Sequence, residues 1–186
     1  MDKKIQELIN NLSSSYSRHI FYHYDVQESY IKNAVSYILL GIRQGNHIVL
    51  VENERNYRMI IKDLENLLTK EQLTLLHHIN NFDFYYSTRN FHPHAVINNI
   101  SETIEPYFGI SEKVRTWGHI EWGDLEEVSC SIEEYEQEAD KKITETGLIS
   151  VCAYNAKRIT PFLKGLLMKC HGIMMTDDEI IDLSAK

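Results

Sequence analysis

The sequence predicts an α/β domain in three layers, a mostly parallel sheet flanked by helices on both faces. Three observations carry this reading. Short runs rich in β-branched and aromatic residues alternate with segments whose apolar residues recur every three or four positions. The run HIVLV at 47–51 is almost continuously apolar, as expected of a strand covered on both faces. Finally, 186 residues, 43% of them hydrophobic and 25% charged, suit one domain that buries its own core.

Each element follows from its spacing. Ile5, Leu8, Ile9 and Leu12 mark a short amphipathic helix that a serine cluster ends. HIFYHYD at 19–25 reads as the first strand. Tyr30, Ile31, Ala34, Val35, Ile38, Leu39 and Ile42 line one face of a long helix stopped by Gly45, and the strand at 47–51 follows. The next helix, 54–68, turns Met59, Ile60, Leu64, Leu67 and Leu68 inward. FDFYYS at 82–87 reads as the third strand, before a helix from Ala95 to Phe108 that Pro106 interrupts. VRTWGHIEW at 114–122 is the fourth strand, 124–145 an acidic helix ended by Gly147, and LISVCAY at 148–154 the fifth strand. A helix begun by proline at 161–170 and a sixth strand at 173–176 complete the pattern.

Composition narrows the function. Nineteen Lys+Arg against 27 Asp+Glu leave a formal charge of −8, which repels phosphate backbones and anionic lipid, so neither nucleic acid nor membrane is an expected partner. No apolar run approaches the ~20 residues of a membrane span, and the N-terminus has no signal-peptide core, so the cytoplasm is the expected location. Cys130, Cys152 and Cys170 are too few and too odd for a disulfide framework and read as reduced thiols.

Ligands of such sheets bind beyond the carboxyl ends of the strands, which directs attention to Asp25 and to 52–55, 87–90, 121–123, 154–158 and 176–178. The first strand-to-helix turn lacks the glycines, Lys and Ser/Thr of a phosphate cradle, and Asp25 and Glu28 repel an anion there; ordinary ATP hydrolysis is not expected. No nucleophile elbow, H-E-x-x-H or paired C-x-x-C occurs. Cys152 lies in an apolar strand and reads as a small hydrophobe, and Cys170 beside His171 does so too unless the histidine activates it. Of the nine histidines, no spacing forces three or four to converge. His19, Cys152, Cys170 and His171 would meet only if their strands were neighbours, and no metal or cofactor is expected. Strand alternation puts Trp117, His119 and Glu121 on one side of the pleat, either a pocket wall or a satisfied core tryptophan with its neighbours. The acidic helix reads as a solvated face, with a docking surface for a basic partner as the alternative.

Three segments together resemble the MEDS family, the methanogen/methylotroph sensory domain found in a dichloromethane-responsive regulator. They are 19–54, with an early His, a Tyr-containing strand, a long helix, a glycine and a Val-rich second strand; RTWGHIEWG at 115–123; and ISVCAYNAKRITPFLKGLLMKCHGIMM at 149–175. The resemblance spans 18–176 and leaves 1–17 as an N-terminal helix, with the sensory domain over 18–183. It implies a RecA- or KaiC-like fold with a degenerate nucleotide site and a non-catalytic role in sensing a simple organic ligand. Carried over by position, its ligand-binding candidates are His19, Tyr22, Glu52, Glu121, Trp122, Cys152, Tyr154 and His171. Asn155 stands where the family often has Asp. With no residues left for an output module, such a sensor is expected to act on a protein partner: a histidine kinase, a response regulator or a transcription factor. A ligand-free oligomerisation module and a cysteine- or metal-dependent enzyme are the competing readings.

Overall fold

The computed structural model of the chain describes residues 3–12, 18–86, 91–108, 114–122 and 125–183. In chain order these form α1 (Lys3–Leu12), β1 (His19–Tyr24), α2 (Gln27–Arg43), β2 (His47–Glu52), α3 (Glu54–Glu65), α4 (Lys70–Leu73), β3 (Leu76–Asn80), α5 (Asn81–Tyr85), α6 (Pro93–Phe108), β4 (Val114–His119), α7 (Leu125–Thr146), β5 (Ile149–Asn155), α8 (Pro161–Cys170), β6 (Ile173–Met175) and β7 (Ile180–Asp182). The strands make one sheet in the order β3-β2-β4-β5-β1-β6-β7. Every pairing is parallel except that of β6 with β7. The α/β prediction therefore holds, with helices on both faces. Among the described residues, no helix is long and apolar enough to cross a membrane.

The strands inside the sheet are largely apolar on both sides, and each side builds a core. One gathers α1, α2, α3 and the sheet face carrying Tyr22, Ile48, Leu50 and Trp117. The other gathers α5, α6, α7, α8 and the face carrying Phe21, Val49, Cys152 and Tyr154. Helix α2 joins both the sheet and α1. It closes with a Schellman turn, in which Asn46 N–H donates to Gly41 O at 3.0 Å, Gly45 N–H donates to Ile42 O at 2.9 Å, and Gly45 takes φ +76°.

Three expectations need correction. FDFYYS is not a strand: the third strand is LHHIN at Leu76–Asn80, and FDFY enters helix α5. The Asn80 side chain accepts hydrogen bonds from the N–H groups of Phe82 and Asp83, and this cap starts a helix where aromatic content alone suggests a strand. The true strand carries two histidines and, among the described residues, pairs only with β2 at the sheet edge, so its pattern is neither apolar nor alternating. In α3 and the turn after it, Met59 and Leu67 face solvent while Ile60 and Leu64 are buried, so the inward stripe is narrower than predicted. Pro106 lies inside α6 without ending it. The strand-end segment at 87–90 lies outside the described residues.

Candidate functional site

The chain leaves β2 over one face toward β3, and leaves β4 over the other face through α7 toward β5. The crevice between these divergent connections lies beyond the carboxyl ends of β2 and β4, where a parallel sheet offers its ligand site. Glu52 ends β2, Asn53 follows it, and His119 ends β4 with Glu121 two residues on.

These side chains form a single network. His119 Nδ1 is 2.7 Å from Glu52 Oε1 and 3.6 Å from Glu121 Oε2, and its Nε2 is 2.8 Å from the Tyr24 hydroxyl. Asn53 N–H and the Asn56 amide donate to the same Glu52 oxygen at 2.8 and 3.2 Å, and the Tyr30 hydroxyl donates to the other. Tyr30 accepts in turn from Trp117 Nε1 at 2.9 Å. Asn53 and Asn81 each donate to Glu121 Oε2 at 2.8 Å. Burial opposes the His119 charge, but Glu52 and Glu121 outweigh it and raise the imidazole pKa. Burial likewise opposes the Glu121 charge, yet His119, Asn53, Asn81 and Arg158 hold its carboxyl below the usual range. Glu52, His119 and Glu121 stand close enough to hold a cation, although each already has partners within the network.

An open cavity of about 400 Å³ adjoins this network. Asn53, Asn81 and Glu121 form its polar side, and Phe82, Tyr86 and Trp122 its aromatic side. Trp122 is held from behind, since its backbone oxygen accepts from Arg158 and its ring packs 5.8 Å from Tyr154. A few fixed polar groups facing aromatic walls make up the usual chemistry of a small-molecule site.

Tyr22 belongs to a different network. Its hydroxyl donates to Asp177 Oδ1 at 2.7 Å and accepts from Asn33 at 2.8 Å. The second Asp177 oxygen accepts from the backbone N–H groups of Asp25 and Val26 at 3.0 and 2.9 Å. A carboxylate of the protein itself thus occupies the start of α2, where a phosphate-binding turn would seat its anion.

His19, Cys152, Tyr154 and His171 meet on the opposite face, beneath α7 and α8. His19 Nε2 is 3.3 Å from Cys152 Sγ and 3.2 Å from Glu136 Oε2, and His171 Nε2 is 3.4 Å from that oxygen. The Tyr154 hydroxyl donates to Glu136 Oε1. Burial opposes the His19 charge, but Cys152, Asp140 and Glu136 together raise its pKa. Burial also pushes the Cys152 thiol up to about 11 and the His171 imidazole down to about 4. Cys170 is half-buried and is not one of the four converging residues, and its thiol is pushed up to about 11, chiefly by burial. A separate apolar cavity of about 40 Å³ touches Cys152, Tyr85 and Gly118.

The predicted residues therefore fall into three groups: Glu52, Glu121 and Trp122 at the strand ends, Tyr22 on Asp177, and His19, Cys152, Tyr154 and His171 in the buried cluster. Sequence reasoning missed Glu136, which it assigned to a solvated face and which is fully buried. Its signal is its position four residues after Ile132 and seven before Ile143, on the apolar stripe of α7. It also missed Asn81, the first residue of α5, which directly precedes the segment misread as the third strand.

Fold and site together define a single-sheet α/β domain with a polar, aromatic-walled crevice at the carboxyl ends of its strands. A profile of the MEDS family, described as the methanogen/methylotroph, DcmR sensory domain, matches residues 18–172, and the chain belongs to that family. No curated protein matches the chain.

Proposed function

We propose that this protein is a non-catalytic sensor that binds a small organic ligand in the strand-end cavity and reports it to a protein partner. The observation that carries the reading is the juxtaposition of Asn53, Asn81 and Glu121 with the aromatic wall of Phe82, Tyr86 and Trp122. It favours a ligand with a hydrogen-bond-donating group at one end and an apolar body. Membership of a sensory family supports the signalling role. The strand order, with the last strand antiparallel, supports a RecA/KaiC-like scaffold, and Asp177 at the first turn speaks against nucleotide turnover. Differential affinity of the ligand for two conformations, one preferred by the partner, is the mechanism. A cytoplasmic histidine kinase, response regulator or transcription factor is the partner class.

Thermal melts against a panel of small amines, alcohols, amides and nucleotides test the site. A true ligand stabilises the protein by about 2.7 kcal/mol at a hundredfold excess over its dissociation constant. Glu121→Gln and Asn81→Ala should each reduce that gain. A panel with no effect on the wild type, or a shift that survives both substitutions, would overturn the assignment.

A further inference from the structure

Four side chains in the core beneath α7 and α8 converge on one point. The ligating atoms of His19, Glu136, Cys152 and His171 all lie within 4.8 Å of one another, and all four residues are buried. Two of these ligating atoms, Glu136 Oε2 and His171 Nε2, have no hydrogen-bond partner among the described residues. Buried polar atoms are almost always paired, and two orphans side by side call for an explanation. We propose that His19, Glu136, Cys152 and His171 form a closed binding site for a zinc-class divalent metal ion.

Geometry supports the assignment. A tetrahedral zinc ion with bonds of about 2.0–2.3 Å holds its ligand atoms about 3.3–3.7 Å apart. Three of the six separations among these ligand atoms, 3.3 Å from His19 to Cys152, 3.2 Å from His19 to Glu136 and 3.4 Å from His171 to Glu136, lie at or close to that spacing, and all six are within 4.8 Å. Charge supports it as well: one thiolate and one carboxylate neutralise a divalent ion among two neutral imidazoles, so no net charge is buried. A soft sulfur with two imidazoles selects zinc-class ions over magnesium or calcium.

The surrounding residues act as metal sites require. His171 Nδ1 is 2.7 Å from the Leu167 carbonyl, which fixes that nitrogen as the donor and leaves Nε2 free to ligate. Tyr154 occupies Glu136 Oε1 and so presents Oε2 to the centre. His19 Nδ1 faces Asp140 Oδ1 at 3.3 Å, and the half-exposed Asp140 carboxylate links the site to solvent. Four protein ligands leave no open position, so the ion is structural and clamps α7 and α8 to the start of β1 and the middle of β5.

The test is metal analysis of the full chain, followed by chelation and reloading with Zn²⁺ or Co²⁺ alone. The expected result is stoichiometric zinc, a melting temperature raised by Zn²⁺, and a cobalt form with the intense visible bands of a tetrahedral site plus a thiolate charge-transfer band. Cys152→Ser, close to isosteric, should abolish the charge-transfer band. Tyr154→Phe, which spares every ligand, should weaken binding about tenfold. Failure of the wild type to bind, or metal binding unchanged by Cys152→Ser and therefore due to other histidines, would overturn the site. Neither outcome bears on the strand-end cavity, which shares none of these ligands.

Discussion

His119 is the residue on which the strand-end network turns. Tyr24, Tyr30, Glu52, Glu121 and Arg158 surround it, and the two carboxylates outweigh the cost of burying its charge. Because its pKa is raised by folding, its contribution to stability is complete below the unfolded value of about 6.5 and fades as pH rises through the folded value. Glu121 has the opposite sign: its depressed pKa contributes fully above the unfolded value of about 4.3 and is lost as pH falls through the folded one. Melts of wild type and His119→Gln across pH should therefore differ most near pH ~6 and converge at higher pH. A difference that stays constant above neutrality would show that His119 acts only by packing. Glu136 teaches a second lesson at this scale. Its charge announces solvent, yet its place on the apolar stripe of α7 announces burial, and burial is what the fold enforces by supplying two histidines and a tyrosine.

At the scale of elements, α2 lies against β2 without space for an added methyl group. A Cβ at Gly41 would stand 2.5 Å from Ile48 Cδ1. Helix propensity favours alanine by about 0.5–1 kcal/mol, but crowding a packed core costs about 1–3 kcal/mol. Gly41→Ala should thus destabilise by about 1 kcal/mol net, and Ile48→Val, which removes the offending methyl, should relieve it in the double variant. Gly45 has open space around it but φ +76°, so Gly45→Ala costs about 1 kcal/mol through backbone strain alone. That cost should add simply to Ile48→Val. Urea midpoints at unchanged slope give both comparisons; strict additivity at Gly41 would refute the packing argument. The elements that sequence reading missed or misread are short: four-residue α4 and five-residue β3 were missed, and five-residue α5 was read as a strand. Such lengths hold too little of a period to be told apart, and the Asn80 cap rather than any apolar pattern decides the boundary.

At the scale of the whole molecule, segments near both ends meet at the first strand-to-helix turn. Lys4 donates to the Thr176 carbonyl at 3.1 Å, and Asp177 beside it caps α2. Ile5, Leu8, Ile9 and Leu12 of α1 are buried in the core that α2 and the sheet share, although α1 precedes the span that the family profile matches. Burying each such side chain is worth about 1.5–3 kcal/mol. Even half of the lower total, about 3 kcal/mol, corresponds to about 6–12 °C in melting temperature at this chain length. Deleting residues 1–17 should therefore lower the melting temperature by at least that amount and increase binding of a hydrophobic dye. A truncated chain that melts like the full one would mean that α1 is an appendage.

By itself the sequence determined the alternation of strands and helices, the apolar core strands, the pleat that puts His119 and Glu121 on one side, the lack of a phosphate cradle and the family. All of these are written in spacings of two to four residues or in short motifs, which local chain geometry reads directly. The tertiary structure alone decided the strand order, the use of Asp177 as an internal anion, and the convergence of His19 with Cys152, 133 residues apart in sequence. Such meetings depend on which strands the crossovers make neighbours, and no local periodicity carries that information.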